Sequence, residues 1–115
     1  MSVEIWHNPR CGKSRATLKL LEEKGLAPKV RLYLEDPPTR KELEEAVARL
    51  GIEATALLRT GEAEYKALVQ KHGKPDAKAA LDWMARHPIL IERPVVVKGK
   101  KARLGRPPEN VLEIL

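Results

Sequence analysis

The chain has 115 residues, 43% of them hydrophobic, and 22 Lys and Arg against 16 Asp and Glu give a formal net charge of +6. This length suits one domain, residues 1–115, large enough to bury about two-thirds of the surface its unfolded form exposes. A lone cysteine excludes an internal disulfide, no apolar run approaches the roughly 18 residues of a membrane span, and residues 1–8 do not resemble a signal peptide, so a reducing, cytoplasmic setting is expected.

Val3-Glu4-Ile5-Trp6 reads as a first strand running into the polar turn His7-Asn8-Pro9-Arg10-Cys11-Gly12-Lys13-Ser14-Arg15. Ala16, Leu18, Leu20 and Leu21 then supply the apolar side of a helix ending near Gly25. Lys29 to Leu34 alternates as a second strand, with Val30, Leu32 and Leu34 on one face and Lys29, Arg31 and Tyr33 on the other. Strand, helix and strand with a short connection make a right-handed βαβ unit.

Pro37-Pro38 breaks the chain, and Thr39-Arg40-Lys41-Glu42 is a capping box for a helix carrying Leu43, Ala46, Val47 and Leu50 up to Gly51. Here acidic residues interleave with basic ones, as on a solvated face. With two Trp, two Tyr and no Phe there is little material for base stacking, so nucleic acid is not expected as a partner despite the positive charge. Ala54 to Leu58, Glu62 to Lys71 and a helix capped by Asp76 and running to Arg86 complete a helical insertion at about residues 39–87. Val95-Val96-Val97 and Ala102-Arg103-Leu104 flank Lys98 to Lys101 as a hairpin, and Pro107-Pro108 opens a terminal helix with Val111, Leu112 and Leu115. The order βαβ, helices, ββα is that of an α/β thioredoxin-like fold. It has a four-stranded mixed sheet and a helical insertion between the second and third strands.

Cys11 lies at the first strand-to-helix turn, where unpaired N–H groups and the positive end of the helix dipole favour a thiolate and a bound anion. A thiol of ordinary pKa near 8.5 needs a downward shift of roughly two units, about 2.7 kcal/mol, to be mostly ionised at neutral pH. A helix terminus with one or two cations supplies that. Cys11-x-x-Ser14 is the monothiol counterpart of a redox pair; the serine either caps the helix or hydrogen-bonds the thiolate. Without a second cysteine, any adduct on Cys11 must be resolved by an external thiol such as glutathione. His7 either closes a hydrogen bond at the strand end or influences ionisation of the thiol. No metal is expected, since His72 and His87 lie in other elements. A phosphatase loop would need arginine at position 17, which is Thr17, and Gly12-Lys13-Ser14 lacks the upstream glycine of a P-loop. Arg59, Arg93 and Arg106 stand at element boundaries beside proline or glycine. Singly each reads as a surface arginine; three converging would hold a tetrahedral dianion through charge-assisted bonds of roughly 1.5 to 3 kcal/mol each.

His7 to Arg15, Tyr33 to Arg40, Ala56-Leu57-Leu58-Arg59, His87 to Pro94 and Arg103 to Pro107 together resemble the glutaredoxin/glutathione-dependent arsenate reductases of the ArsC family, in the ArsC/Spx-like superfamily. The resemblance covers nearly the whole chain. It implies a thioredoxin-like fold with a helical insertion, Cys11 as nucleophile, Arg59, Arg93 and Arg106 as oxyanion ligands, a cis Pro94, and His7, Ser14 and Arg15 in support. Cys11 would attack arsenate, glutathione would displace the thiol–arsenate adduct with reduction, and glutaredoxin would resolve the mixed disulfide as arsenite leaves. Glutathione would be a co-substrate, with no bound cofactor. Arg10 and Lys13 make the turn more basic than is usual in that family, and the chain ends at Leu115, short of the C-terminal extension of some longer members. Two alternatives stay open: a glutathione-dependent thiol–disulfide reductase without arsenate specificity, and an Spx-like regulator that binds RNA polymerase. Spx-type regulators typically carry a second cysteine where this chain has Ser14.

Overall fold

The computed structural model describes residues 2–115, and the chain divides into two compact units, Met1–Asp36 with Arg93–Leu115, and Pro37–Glu92. The first holds β1 (Val3–Trp6), α1 (Gly12–Glu23), β2 (Lys29–Arg31), β3 (Val95–Lys98), β4 (Lys101–Leu104) and a 3-10 segment, Pro108–Ile114. The strands form one mixed sheet in the order β2-β1-β3-β4. β1 runs parallel to β2 with Ile5 opposite Val30, and antiparallel to β3 with Ile5 opposite Val96; β3 and β4 form the hairpin, turning at Gly99 with φ 61°. This is the α/β, thioredoxin-like sheet expected from the sequence. Val3, Ile5 and Val96 on the sheet pack with Leu21 of α1 and with Val111 and Ile114, while Leu18, Leu20, Leu26 and Leu115 line the edge of that core. Each such side chain contributes roughly 1.5–3 kcal/mol by leaving water.

Three expectations about this unit are corrected. β2 ends at Arg31, not Leu34: the N–H groups of Glu35 and Asp36 both bond the Leu32 carbonyl, at 2.9 and 2.8 Å, which coils the chain into a turn. The turn breaks the alternation, so Tyr33 is fully buried whereas Leu34 is 41% exposed; within the strand itself Val30 is 43% exposed. The inward stripe of α1 is Ser14, Thr17 and Leu21, with Ala16 exposed, because two hydroxyls on the inner side have hydrogen-bond partners there. The C-terminal helix is 3-10. Its period of three brings Val111 and Ile114 inward together and leaves Leu112 40% exposed.

The second unit is helical: α2 (Arg40–Leu50), a 3-10 turn Ala54–Leu57, α3 (Ala63–His72), α4 (Ala77–Arg86) and a 3-10 turn Pro88–Leu90. Thr39 and Glu42 form the reciprocal capping box, Gly51 ends α2 in the left-handed region at φ 68°, and Asp76 Oδ1 accepts the Ala79 N–H at 2.9 Å. Leu43, Leu57, Ala80, Met84 and Leu90 are fully buried. An ion pair between Arg40 and Asp82 ties α2 to α4, and Tyr65 of α3 meets Trp83 of α4 edge-on with centroids 6.2 Å apart. A bridge between Leu58 and Ile91 brings the ends of this unit's apolar turns side by side. Among the described residues, no helix is long and apolar enough to cross a membrane.

Candidate active site

β1 delivers the chain into the turn before α1, and Cys11 is the N-cap residue of that helix, in extended conformation at φ −95° and ψ 122°. The Cys11 N–H bonds the Asn8 carbonyl at 3.0 Å and its carbonyl accepts the Arg15 N–H at 3.0 Å, so the sulfur is carried by a closed turn. The thiol is partly exposed. Burial pushes its pKa up, but the Ser14 N–H, the Arg93 charge, the Lys13 N–H and a hydrogen bond from the Arg93 side chain together outweigh that and hold it below the ordinary value. The two N–H groups belong to the first turn of α1, where intrahelical acceptors are lacking. The surroundings of the sulfur thus shift its ionisation toward the thiolate.

Ser14 does something other than either sequence reading. Its Oγ lies 2.6 Å from His7 Nδ1 and accepts the Asn8 N–H at 2.9 Å, so the side chain staples the chain leaving β1 to α1. Only its backbone N–H serves the sulfur. His7 is buried, and burial followed by the Arg15 charge lowers its pKa, keeping the ring neutral. Arg15 is exposed and donates to the Pro9 carbonyl at 2.8 Å, bracing the turn from outside. Asn8 closes it further by accepting the Arg10 N–H at 3.0 Å on Oδ1.

A second loop of the same unit meets this turn. Arg93 precedes a cis bond to Pro94, and Arg106 precedes another to Pro107. Arg106 Nη1 donates to the Arg93 carbonyl at 3.2 Å, and the Gly105 N–H bonds the Pro94 carbonyl at 3.0 Å. Asn110 Nδ2 holds the Arg106 carbonyl at 3.1 Å. The loop approaches α1 through Gly105: a Cβ there would lie 2.8 Å from Pro94 Cγ and closer still to Thr17 Oγ1, so only glycine fits. Cys11, Arg93 and Arg106 are thus joined in one hydrogen-bonded constellation. Thr17, Gly105 and Asn110 hold it and were not singled out from sequence; Gly105, beside Arg106-Pro107, was the one with a readable signal.

Arg59 belongs to the second unit, in the segment after Leu57. Its N–H bonds the Leu90 carbonyl at 2.7 Å, and its side chain, 18% exposed, places Nη1 3.3 Å from the Ile89 carbonyl, Nη2 2.5 Å from Glu62 Oε1 and Nε 3.9 Å from Glu92 Oε1. Of the two carboxylates around it, Glu62 lies three residues on in sequence, whereas Glu92 is distant in sequence and had no marker there.

Comparison with known proteins gives a consistent picture. The ArsC family model matches residues 6–114. An arsenate reductase of Haemophilus influenzae is 45% identical over 116 residues, covering 100% of both chains. An uncharacterized Escherichia coli protein, YfgD, is 47% identical over 98% of this chain and 96% of its own. The solved structure of an arsenate reductase from Vibrio cholerae superposes with a TM-score of 0.94 at 51% identity, covering 100% of this chain and 98% of that one.

Proposed function

The chain belongs to the ArsC family, and we propose that it is an arsenate reductase that works through a Cys11 thiol–arsenate adduct with glutathione and glutaredoxin as external reductants. The observation that carries this reading is the placement of the Cys11 sulfur at the start of α1, where two backbone N–H groups and Arg93 hold its pKa below the ordinary value. In the proposed reaction Cys11 Sγ attacks arsenic and an arsenate hydroxyl leaves as water, taking its second proton from solvent. Glutathione sulfur then bonds to Sγ, the S–As bonding pair stays on arsenic, and As(V) becomes As(III). The mixed disulfide on Cys11 passes to glutaredoxin, since the chain has no second cysteine to resolve it. Arg93, Arg106 and, from the second unit, Arg59 are the proposed oxyanion ligands; they also offset repulsion between a thiolate and an anionic substrate. His7, Ser14, Arg15 and Pro94 position the turn and the loop. The proposal has no bound cofactor or metal and a cytoplasmic site of action.

The test is arsenite formation by the purified protein with arsenate, glutathione and glutaredoxin, omitting each in turn. Wild type should require all three, and Cys11→Ser should form no arsenite. Arg59→Ala, Arg93→Ala and Arg106→Ala should each impair arsenate turnover. Disulfide turnover without arsenate, indifferent to all three arginines, would overturn the reading in favour of a general thiol reductase. Recovery of RNA polymerase on the protein, without turnover under any reductant, would overturn it in favour of a regulator.

A further inference from the structure

A guanidinium offers a bidentate edge, Nε with Nη2, that matches the spacing of two oxygens on a carboxylate or a tetrahedral oxyanion. In Arg59 that edge faces protein carboxylates: Nη2 is 2.5 Å from Glu62 Oε1, and Nε is 3.9 Å from Glu92 Oε1. The remaining nitrogen, Nη1, is tied to the Ile89 carbonyl at 3.3 Å. With the side chain only 18% exposed, Arg59 cannot turn a fresh edge to an incoming anion without giving up that backbone anchor. Beside it lies a cavity of about 380 Å³ lined by Leu58, Arg59, Thr60, Gly61, Glu62 and Glu92. Glu62 is the N-cap residue of α3, and its carboxylate makes no helix-capping bond with the described residues, so it can swing away while the helix start keeps its backbone.

Resting on the reading of Arg59 as an oxyanion ligand, we propose that Glu62 sets the affinity of that ligand by occupying its anion-binding edge in the substrate-free protein. Substrate must displace a carboxylate, which favours a doubly charged oxyanion over singly charged competitors. Glu62 is a specificity-determining residue in this scheme, and Glu92, farther from the guanidinium, acts in the same direction more weakly.

Steady-state kinetics on four proteins test this: wild type, Glu62→Gln, Arg59→Gln and the double variant, with phosphate as a competing dianion and acetate as a competing monoanion. Glu62→Gln should lower KM for arsenate by up to about fivefold with little change in kcat, the range expected for removing one competing partly exposed ion pair of about 0.2–1 kcal/mol. It should strengthen inhibition by acetate more than by phosphate. Glu62→Asp, which keeps the charge, should not reproduce the gain, and the double variant should show no gain over Arg59→Gln. An unchanged or raised KM in Glu62→Gln, while Arg59→Gln raises KM, would overturn the role of Glu62 and leave Arg59 standing as a ligand. An Arg59→Gln protein with wild-type KM would instead overturn the reading of Arg59 on which this rests. Should Glu62→Gln fold poorly, Glu92→Gln carries the same sign at smaller size, and its failure to lower KM counts against the proposal.

Discussion

Ser14→Ala separates two roles that a Cys-x-x-Ser pattern would merge. The substitution deletes a hydroxyl bonded to His7 Nδ1 at 2.6 Å and to the Asn8 N–H at 2.9 Å, and leaves both partners without it in a region where Ser14 is fully buried and His7 is 6% exposed. A lost hydrogen bond with a stranded buried partner costs about 1–2 kcal/mol, so the two together should cost about 2–4 kcal/mol. At this chain length about 1 kcal/mol corresponds to roughly 4 °C, which makes the expected drop in Tm about 8–16 °C by circular dichroism. The Ser14 backbone N–H, which favours the thiolate, is untouched. The pH midpoint for alkylation of Cys11 by iodoacetamide should therefore stay below that of an ordinary thiol. A variant with wild-type Tm whose alkylation midpoint has moved up to the ordinary thiol value would refute this division of labour.

Other consequences follow from the same contacts. Gly105→Ala drives a methyl group into Thr17 and Pro94, and at an overpacking cost of about 1–3 kcal/mol it should lower Tm and, by displacing the Arg106 loop, arsenate turnover; wild-type values of both would contradict the close approach. Arg93→Ala removes a charge and a hydrogen bond that depress the Cys11 pKa, so the alkylation midpoint should shift upward; no shift would remove Arg93 from the sulfur's environment. His7 has a folded pKa below its unfolded value of about 6.5, so its contribution to stability is fully present above that value and is lost as pH falls through the folded pKa. Urea unfolding should accordingly show wild type losing stability on acidification below about pH 6.5, with a shallower loss in His7→Gln; equal slopes would mean that His7 is not held neutral.

The parts of the fold that the sequence made legible are those in which one local rule acts without a competitor. Thr39 and Glu42 capped α2, Asp76 capped α4, and Val3 to Trp6 formed the first strand because each has one good local solution. Tyr33 misled because strict alternation predicts a strand, whereas the Leu32 carbonyl collects two N–H groups and coils the chain after three paired residues. Ser14 and Thr17 were not read as an inward face, since a hydroxyl is buried only when partners arrive from elsewhere, here His7, Asn8 and the Lys13 carbonyl. Leu112 was grouped with Val111 and Leu115 on the terminal helix without a face assigned, and the 3-10 period leaves it 40% exposed. At the site, Cys11 was legible from its position between strand and helix. The chain from Thr17 through Gly105 to Arg106 was not, because it joins residues 88 positions apart and leaves no spacing to recognise.

Ultraviolet titration of the Cys11 thiolate in the folded protein, set against the unfolded chain, bears most directly on the claim that the turn and Arg93 make this sulfur a nucleophile. The folded midpoint should lie below the unfolded one. A folded midpoint equal to or above the unfolded one would mean that burial dominates and that Cys11 is a protonated, unreactive thiol at neutral pH.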